Sequence, residues 1–287
     1  VGFMGKNILS LFDGISCARL ALDRAGIDYD NYFSSEIDEW CLKIVKNHYS
    51  DNINLGDVSK IDATKLPEIE LLIGGSPCQG FSLIGERLDF DDVRSALIFH
   101  FFRILEECKP KYFLLENVKM NQKCQEFITQ KLGVEPIEIN SALLSGQNRR
   151  RLYWTNIPNV IQPSDLQIIG KSVFEDSKYE MATVRKAKGE LPRRVVPPNG
   201  DKLGCLTASY YKGANGDGRP AKATNFGEYS QSDLTMLTPI ECERLQTIPD
   251  DYTMGVSKTQ RYKMIGNSFT VDVIVHLLTN MNSEGDE

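Results

Sequence analysis

The sequence lacks the residue patterns that build metal sites, disulfide frameworks and membrane spans. Its seven cysteines form no CxxC pair, and three histidines are too few for a histidine-based metal site, so neither zinc nor disulfide cross-links are predicted. The longest apolar runs fall far short of a membrane span, and we see no secretory signal. These absences predict an intracellular protein that binds no metal and no membrane.

Internal repeats and low-complexity segments are also missing, and the composition is that of a globular protein. The 287 residues can form one large domain with a well-filled core and a smaller second domain. Charge is unevenly distributed: residues 182–222 hold nine Lys and Arg against three Asp and Glu, although the whole chain has a net charge of −6. This basic segment is either a solvated loop or a surface that contacts phosphates.

Short apolar runs alternate with helical patterns through the first half of the chain. Strands are predicted at 7–12, 31–35, 69–74, 112–115 and 152–155, with helices at 38–47 and around 97–105. This alternation is typical of an α/β fold with a mostly parallel sheet. Prolines and glycines interrupt the pattern after 158, and a capping box from Thr238 to Glu241 restarts helical structure. We therefore predict a doubly wound domain at 1–155 and 258–287, and a smaller domain at 156–257.

Three positions near the ends of strands fit a nucleotide-like ligand. Gly14 follows Phe12 in the turn after the first strand, where a doubly wound sheet binds such ligands and where glycine lets the backbone approach closely. Glu36 ends the second strand, and a carboxylate there can hold two ribose hydroxyls. Asp57 can accept a hydrogen bond from an adenine amino group. One glycine falls short of a GxGxxG motif, and either acid alone could be an exposed loop residue.

Cys78 differs from the other cysteines in its sequence context. It follows a predicted strand and the pair Gly74 and Gly75, and Pro77 directly before it restricts the backbone. This placement exposes a thiol at the carboxyl edge of the sheet. Glu116 ends another predicted strand, so a carboxyl group and a thiol are predicted at the same edge.

A run of three arginines follows Gln147 and Asn148. Such runs are usually solvated patches. In an extended segment, however, alternation sends Arg149 and Arg151 to one face and Arg150 to the other. Two guanidinium groups can therefore reach one site.

These residues resemble, in order and approximate spacing, the motifs of the DNA cytosine-5 methyltransferases, of the bacterial and phage type that includes restriction-modification enzymes. The resemblance covers the chain from about 8 to 278. It rests on Phe12 with Gly14, Glu36, Asp57, Pro77, Cys78, Gln79, Glu116, Asn117, Val118, Gln147, Arg149 and Arg151, and near the end on Glu241, Arg244, Leu245, Gly266, Asn267, Ser268 and Val271. The triplet with Cys78 and the Gln147 motif are its most specific parts.

The resemblance implies methyl transfer from S-adenosylmethionine to carbon 5 of a cytosine flipped out of double-stranded DNA. It also implies a Rossmann-like catalytic domain with a mixed, mostly parallel sheet, and a small target-recognition domain. Cys78 would add to carbon 6 of the base, Glu116 would share a proton with ring nitrogen 3, and Arg149, with Arg151 in the same motif, would stabilise the exocyclic oxygen. The donor would contact Phe12, Gly14, Ile15, Glu36, Ile37, Asp57, Val58, Pro77, Asn267 and Ser268. DNA would contact Gln79, Ser82, Arg94 and Thr207.

The chain departs from the family in its donor turn. Ile15, Ser16 and Cys17 stand where further glycines are usual, although animal de novo cytosine methyltransferases and some phage enzymes have a similar opening. We expect the protein to be a monomer. We expect it to be cytoplasmic if its source is a prokaryote or a phage, and nuclear if the source is a eukaryote.

Three alternatives stay open. A tRNA cytosine-5 methyltransferase would use the same cysteine, but that group usually has two prolines before it, whereas Ser76 precedes Pro77 here. A nicotinamide-dependent oxidoreductase is opposed by the missing GxGxxG. A catalytically silent DNA-binding module is opposed by the joint presence of Cys78, Glu116 and Arg149.

Overall fold

The computed structural model describes residues 6–77, 97–187, 190–198, 200–212, 220–224, 227–228 and 234–284. The chain divides into two compact units. The first unit comprises 1–139, 150–162 and 274–287, and the second comprises 140–149 and 163–273. The second unit thus contains most of the smaller domain predicted at 156–257 and extends beyond it. No helix among the described residues has the length and apolarity needed to cross a membrane.

A seven-stranded sheet forms the centre of the first unit. Its strands are β1 (Asn7–Leu11), β2 (Asn31–Ser35), β3 (Ile53–Asn54), β4 (Ile69–Gly75), β5 (Tyr112–Val118), β6 (Ile137–Asn140) and β7 (Arg150–Thr155). Their order is β3-β2-β1-β4-β5-β7-β6. The pairs from β3 to β5 are parallel, and β7 runs antiparallel to β5. The predicted α/β class with a mixed, mostly parallel sheet is confirmed.

Helices alternate with these strands because their apolar faces need the sheet to cover them. The described helices of this part are α1 (Cys17–Ala25), α2 (Glu39–His48), α3 (Ile98–Cys108) and α4 (Gln122–Leu132). The Asp38 carboxylate caps α2 by accepting a hydrogen bond from the Trp40 amide at 2.9 Å, and Asn121 caps α4 in the same way through the Cys124 amide. Phe101 of α3 is fully buried in the core.

The strand order reverses between β1 and β4. β2 and β3 lie on one side of β1, and β5 lies on the far side of β4. In an open α/β sheet a crevice forms at such a point, outside the carboxyl ends of the strands, and ligands bind there. β1 ends directly before Phe12 and β4 directly before Ser76, so two of the predicted site segments begin at this crevice.

An antiparallel sheet of five described strands forms part of the second unit. The strands are β8 (Glu180–Ala187), β9 (Glu190–Val196), β10 (Pro220–Ala223), β11 (Gly227–Glu228) and β12 (Leu234–Thr235), in the order β11-β9-β8-β10-β12. The register of β8 and β9 shifts between Arg185 and Ala187, where β9 contains Pro192. Proline has no N–H to donate, and such an irregularity tolerates it. The sequence pattern does not predict these strands, because prolines and glycines interrupt the segment that contains them.

Helices α5 (Pro239–Leu245) and α6 (Lys258–Asn267) complete the described regular structure of the second unit, and α7 (Val271–Leu278) leads back into the first. The predicted capping box is confirmed: Thr238 Oγ1 accepts from the Glu241 amide at 3.2 Å, and Glu241 Oε2 accepts from the Thr238 amide at 2.8 Å. The buried Glu241 also pairs with the buried Lys222 at 2.9 Å. This lysine of the basic segment therefore neutralises an internal charge.

Candidate active site

The turn after β1 has a backbone conformation that its residues rarely adopt. The φ angle is 56° at Phe12, 59° at Gly14 and 58° at Ser16. Only glycine reaches this region without a steric cost, so Phe12 and Ser16 are strained. Side chains hold them there: the buried Asp13 carboxylate accepts hydrogen bonds from the Ser16 hydroxyl and, at 2.6 Å, from the Tyr32 hydroxyl. Strain held in place by buried groups is typical of ligand sites.

Asp13 is a residue that the sequence analysis did not identify. Burial raises the pKa of its carboxyl group, and hydrogen bonds from Ser16 and Tyr32 partly offset this effect. An acid in a turn is more often exposed than buried, so its position beside Gly14 was too weak a signal. Its role here is to shape the turn.

Glu36 lies beside this turn, as predicted for a carboxylate at the end of β2. Its Oε2 accepts from the Gly14 amide at 2.8 Å, and its Oε1 accepts from the Ile37 and Asp38 amides, each at 2.8 Å. These bonds fix the carboxylate, and Oε2 retains an acceptor position for a ligand hydroxyl. The Ile37 side chain next to it is 71% exposed and offers an apolar surface to a ligand.

Asp57 precedes a short 3-10 helix, Val58–Lys60, that follows β3. Its Oδ1 accepts hydrogen bonds from the Ser59 amide at 2.9 Å and the Ser59 hydroxyl at 2.8 Å, and these bonds lower the pKa of the carboxyl group. Among the described residues none donates to Oδ2. Asp57 is therefore an ionised carboxylate with one oxygen available to an amino group.

The groups around this edge of the sheet fit S-adenosylmethionine. Glu36 suits the ribose, Asp57 suits the adenine amine, and Gly14 presents no side chain to obstruct the ligand. Among the other predicted donor contacts, Ile15 and Val58 have buried side chains and can offer only backbone groups, whereas Phe12 is half-buried against the core and Pro77 is exposed.

Four predicted site residues, Cys78, Gln79, Ser82 and Arg94, lie outside the described residues. The chain before Cys78 is described up to Pro77, and hydrogen bonds fix the position of Ser76. Asn117 of β5 donates from Nδ2 to Ser76 Oγ at 3.0 Å and to the Ser76 carbonyl at 3.3 Å, and both residues are buried. Asn117 thus fixes the chain two residues before the predicted nucleophile.

Glu116 and Arg151 form an ion pair in the first unit. Arg151 Nε lies 3.0 Å from Glu116 Oε1, and the side chains are only 14% and 12% exposed. The antiparallel register explains this contact: Arg151 is the Cα partner of Val118, two residues beyond Glu116 and on the same face of β5. Arg150 pairs instead with Glu138, at 3.0 Å.

Arg149 lies before β7 and belongs to the second unit. It is buried, and its Nη1 donates to the Leu206 carbonyl at 2.8 Å. Its Nη2 donates to the carbonyls of Ser268, at 3.0 Å, and Gly266, at 3.4 Å. Within the first unit the structure brings Arg151 to Glu116, and within the second unit Arg149 joins backbone segments.

Two fully buried glutamines extend this internal network. Gln147 Nε2 donates to Gln246 Oε1 at 2.9 Å, and Gln147 Oε1 accepts from the Leu206 amide at 3.1 Å. Gln246 Nε2 donates to the carbonyls of Ile265, at 3.0 Å, and Ser268, at 3.2 Å. Gln147 was predicted from its motif, and Gln246 was not, because a glutamine at the end of a helix carries no signal of burial.

Thr207 and Asn267 are exposed residues of the second unit. The backbone of Gly266, next to Asn267, packs tightly against the backbone of Thr207: a Cβ added to Gly266 would lie 2.3 Å from the carbonyl group of Thr207. Only glycine permits this approach. Ser268 turns inward, since its hydroxyl donates to the Ile265 carbonyl at 2.7 Å.

The six cysteines that the structure describes are reduced thiols, and burial suppresses the reactivity of three of them. Burial raises the pKa of Cys108 to about 11 and also raises the pKa of Cys124 and Cys242. In the part of the chain that the structure describes, no cluster of three His, Cys, Asp or Glu residues could hold a metal ion.

Comparison with known proteins identifies the family. The family model for C-5 cytosine-specific DNA methylase matches residues 6–153 and 138–283. The Type II methyltransferase M1.ScrFI of Lactococcus lactis subsp. cremoris is 33% identical, over 93% of this chain and 76% of its own length. The Type II methyltransferase M.SsoII of Shigella sonnei is also 33% identical, over 93% of this chain and 78% of its own length.

Solved structures share the fold. The Entamoeba histolytica methyltransferase EhMeth superposes with a TM-score of 0.76 at 18% identity, covering 99% of each chain. The S. pombe Dnmt2 methyltransferase gives a TM-score of 0.74 at 20% identity, covering 98% of this chain and all of that one. Because the family model matches most of the chain and two relatives are 33% identical over 93% of it, the chain belongs to the C-5 cytosine-specific DNA methylases, which take their methyl group from S-adenosylmethionine.

Proposed function

We propose that this enzyme, acting as a monomer, methylates carbon 5 of a cytosine flipped out of duplex DNA through a covalent adduct between Cys78 and carbon 6. The observation that carries the proposal is the Glu116–Arg151 ion pair. Glu116 is the register partner of Gly75, and the chain reaches Cys78 three residues after Gly75. A carboxyl group and a guanidinium group therefore stand at the strand end that leads to the thiol.

The chemistry requires these groups because carbon 5 of cytosine is too electron-poor to accept a methyl group directly. Addition of the Cys78 thiolate at carbon 6 forms an enamine whose carbon 5 is nucleophilic. S-adenosylmethionine, when bound, supplies an electrophilic methyl group. Loss of the proton from carbon 5 then allows the Cys78 thiolate to leave and restores the aromatic ring.

Glu116 and Arg151 would stabilise the charge that builds on the ring during addition. Glu116 shares a proton with ring nitrogen 3, and Arg151 both orients Glu116 and faces the exocyclic oxygen. We assign this oxygen to Arg151, because Arg151 is the arginine that pairs with Glu116, whereas Arg149 Nη1 and Nη2 donate to backbone carbonyls of the second unit. Arg149 becomes a residue that organises the second unit.

The donor would bind at the carboxyl edge of the sheet, with Gly14, Glu36 and Asp57 in the roles that their geometry supports. The family resemblance also implies donor contacts from Asn267 and Ser268. The second unit would recognise DNA, with Thr207 contacting a phosphate and Gln79, Ser82 and Arg94 of the first unit contacting the target from the chain after Cys78. Base-edge contacts would set the target sequence.

The test uses labelled S-adenosylmethionine with duplex DNA or bulk tRNA, and compares the wild-type protein with Cys78→Ser and Cys108→Ser. Cys108 is a matched control because burial raises the pKa of its thiol. We expect labelled DNA from the wild type and Cys108→Ser, and none from Cys78→Ser. Labelling of tRNA alone would contradict the DNA substrate, labelling by Cys78→Ser would contradict the nucleophile, and no transfer to either would revive the silent DNA-binding module.

A further inference from the structure

Two side chains on α3, Arg103 and Glu107, form a brace under the segment that carries Asp57. Arg103 Nη2 donates to the Val58 carbonyl at 2.9 Å, and its Nη1 donates to the Ile61 carbonyl at 2.8 Å. The same Nη1 lies 3.0 and 2.9 Å from the two carboxylate oxygens of Glu107, one helical turn further on. Glu107 Oε2 in turn accepts a hydrogen bond from the Ala63 amide at 3.3 Å. The brace therefore holds three backbone groups between 58 and 63.

The braced segment has little structure of its own to keep it in place. The 3-10 helix Val58–Lys60 is three residues long, and so short a helix leaves most of its backbone groups without internal partners and is marginal alone. Asp57 caps it from the outside through the two hydrogen bonds to Ser59. The position of the Asp57 carboxylate therefore depends on the helix it caps, and the helix depends on Arg103.

The hydrogen bonds from Ser59 also favour the ionised form of Asp57. His100 lies one turn before Arg103 on α3, and burial, followed by the positive charge of Arg103, lowers its pKa from 6.5. His100 is therefore neutral at pH 7, whereas Asp57 is ionised. An ionised carboxylate only accepts hydrogen bonds, so it attracts an amino group on a purine and repels a carbonyl oxygen at the same place.

We propose that Arg103 is a positioning residue for purine selectivity: through Val58 and Ile61 it fixes Asp57 where the carboxylate distinguishes a 6-amino from a 6-oxo purine in the methyl donor. The inference rests on the proposed function, because it takes Asp57 as the contact to the donor's purine. Arg103 touches neither donor nor DNA in this scheme. It acts through the backbone that Asp57 shares.

The experiment measures dissociation constants by calorimetry for S-adenosylhomocysteine and S-inosylhomocysteine, which differ in the purine 6-position. The wild type should prefer the adenosyl compound by on the order of 100-fold, since one charge-assisted hydrogen bond is replaced by repulsion. In Arg103→Met this preference should fall at least about tenfold. Asp57→Asn, whose amide can donate to a 6-oxo group, should abolish the preference.

Arg244→Met is the matched control. Arg244 also donates to a backbone carbonyl, that of Val173, and to a carboxylate, that of Asp250, but it lies in the second unit. It should keep the wild-type ratio. Arg103→Lys, which keeps the charge but has one nitrogen for two carbonyls, should give an intermediate ratio and serves as the test if the methionine variant does not fold.

The ratio separates positioning from general stabilisation. If Arg103→Met or Arg103→Lys weakens both ligands equally and leaves the ratio unchanged, the proposal is overturned and Arg103 is merely structural. An equal affinity of the wild type for both compounds also overturns it, although methylation of DNA would still support the proposed function. If the wild type binds neither compound and transfers no methyl group, the proposed function itself fails.

Discussion

Replacing Gln246 by leucine should destabilise the second unit by about 3–4 kcal/mol, because four hydrogen bonds of a fully buried amide are lost. Its Nε2 donates to the carbonyls of Ile265 and Ser268, and its Oε1 accepts from Gln147 Nε2 at 2.9 Å and from Thr270 Oγ1 at 2.8 Å. Each bond contributes about 1 kcal/mol net, and leucine regains a little by its greater apolar surface.

The partners of Gln246 keep this figure from rising further. Gln147 Nε2 still donates to the Leu245 carbonyl, Thr270 Oγ1 still accepts from Ser141, and Ser268 still accepts from Arg149. Each of these groups keeps one partner, so the penalty for a wholly unpartnered group does not apply. One N–H of Gln147 and the hydroxyl hydrogen of Thr270 do lose their acceptor, and this loss is counted among the four bonds.

Urea unfolding followed by circular dichroism measures the effect. With a slope of about 3 kcal/mol per molar urea, the transition of the second unit should move down by about 1 M. Both tryptophans, Trp40 and Trp154, lie in the first unit, so the fluorescence transition should move less. Gln125→Leu is the control, because Gln125, in the first turn of α4, is part-buried and, among the described residues, its amide donates only to the Met120 carbonyl before the helix. If Gln246→Leu lowers the free energy of unfolding no more than this control, the four buried hydrogen bonds do not stabilise the second unit and the reasoning is refuted.

Three further predictions concern the site. Arg151→Lys should lower kcat for DNA methylation by about 10²–10³-fold, whereas Arg150→Lys, at an exposed pair, should change it little; equal effects would contradict the role of Arg151. Gly266→Ala should destabilise the protein by about 1–3 kcal/mol in thermal unfolding, since its methyl group would meet the Thr207 backbone, and an unchanged Tm would contradict this contact. Burial raises the folded-state pKa of Asp13 above 3.8, so the folded protein binds more protons than the unfolded chain above about pH 4, and its free energy of unfolding should fall as pH rises through that window. Asp13→Asn removes this dependence, so the stability difference between wild type and variant should shrink from pH 4 upward, and a constant difference would rule the effect out.

The positions of Gly14 and Glu36 at the carboxyl edge of the sheet were predictable because their signals are local. A turn after a buried strand places Gly14 and Glu36 at the carboxyl edge of any parallel sheet, whatever the details of packing. Asp13 was not predictable in the same way. Its burial depends on the Tyr32 hydroxyl, which approaches from the neighbouring strand, and no pattern within the turn reveals that contact.

The arginine motif shows where local patterns stop being sufficient. The alternation of side chains along a strand correctly predicts that Arg150 and Arg151 point to opposite faces, but it does not predict where the strand begins. Because β7 starts at Arg150, Arg149 falls outside the sheet and its guanidinium meets the carbonyls of Leu206, Gly266 and Ser268.

The sequence by itself determined the fold class, the family, the methyl donor and the identity of the predicted nucleophile, since strand periodicity and short motifs depend only on neighbours along the chain. The tertiary structure alone decided which arginine pairs with Glu116, how Gln246 and Arg149 join distant segments, and how Arg103 braces Asp57. These contacts depend on strand register and on burial, which arise only when residues far apart in the chain are packed together.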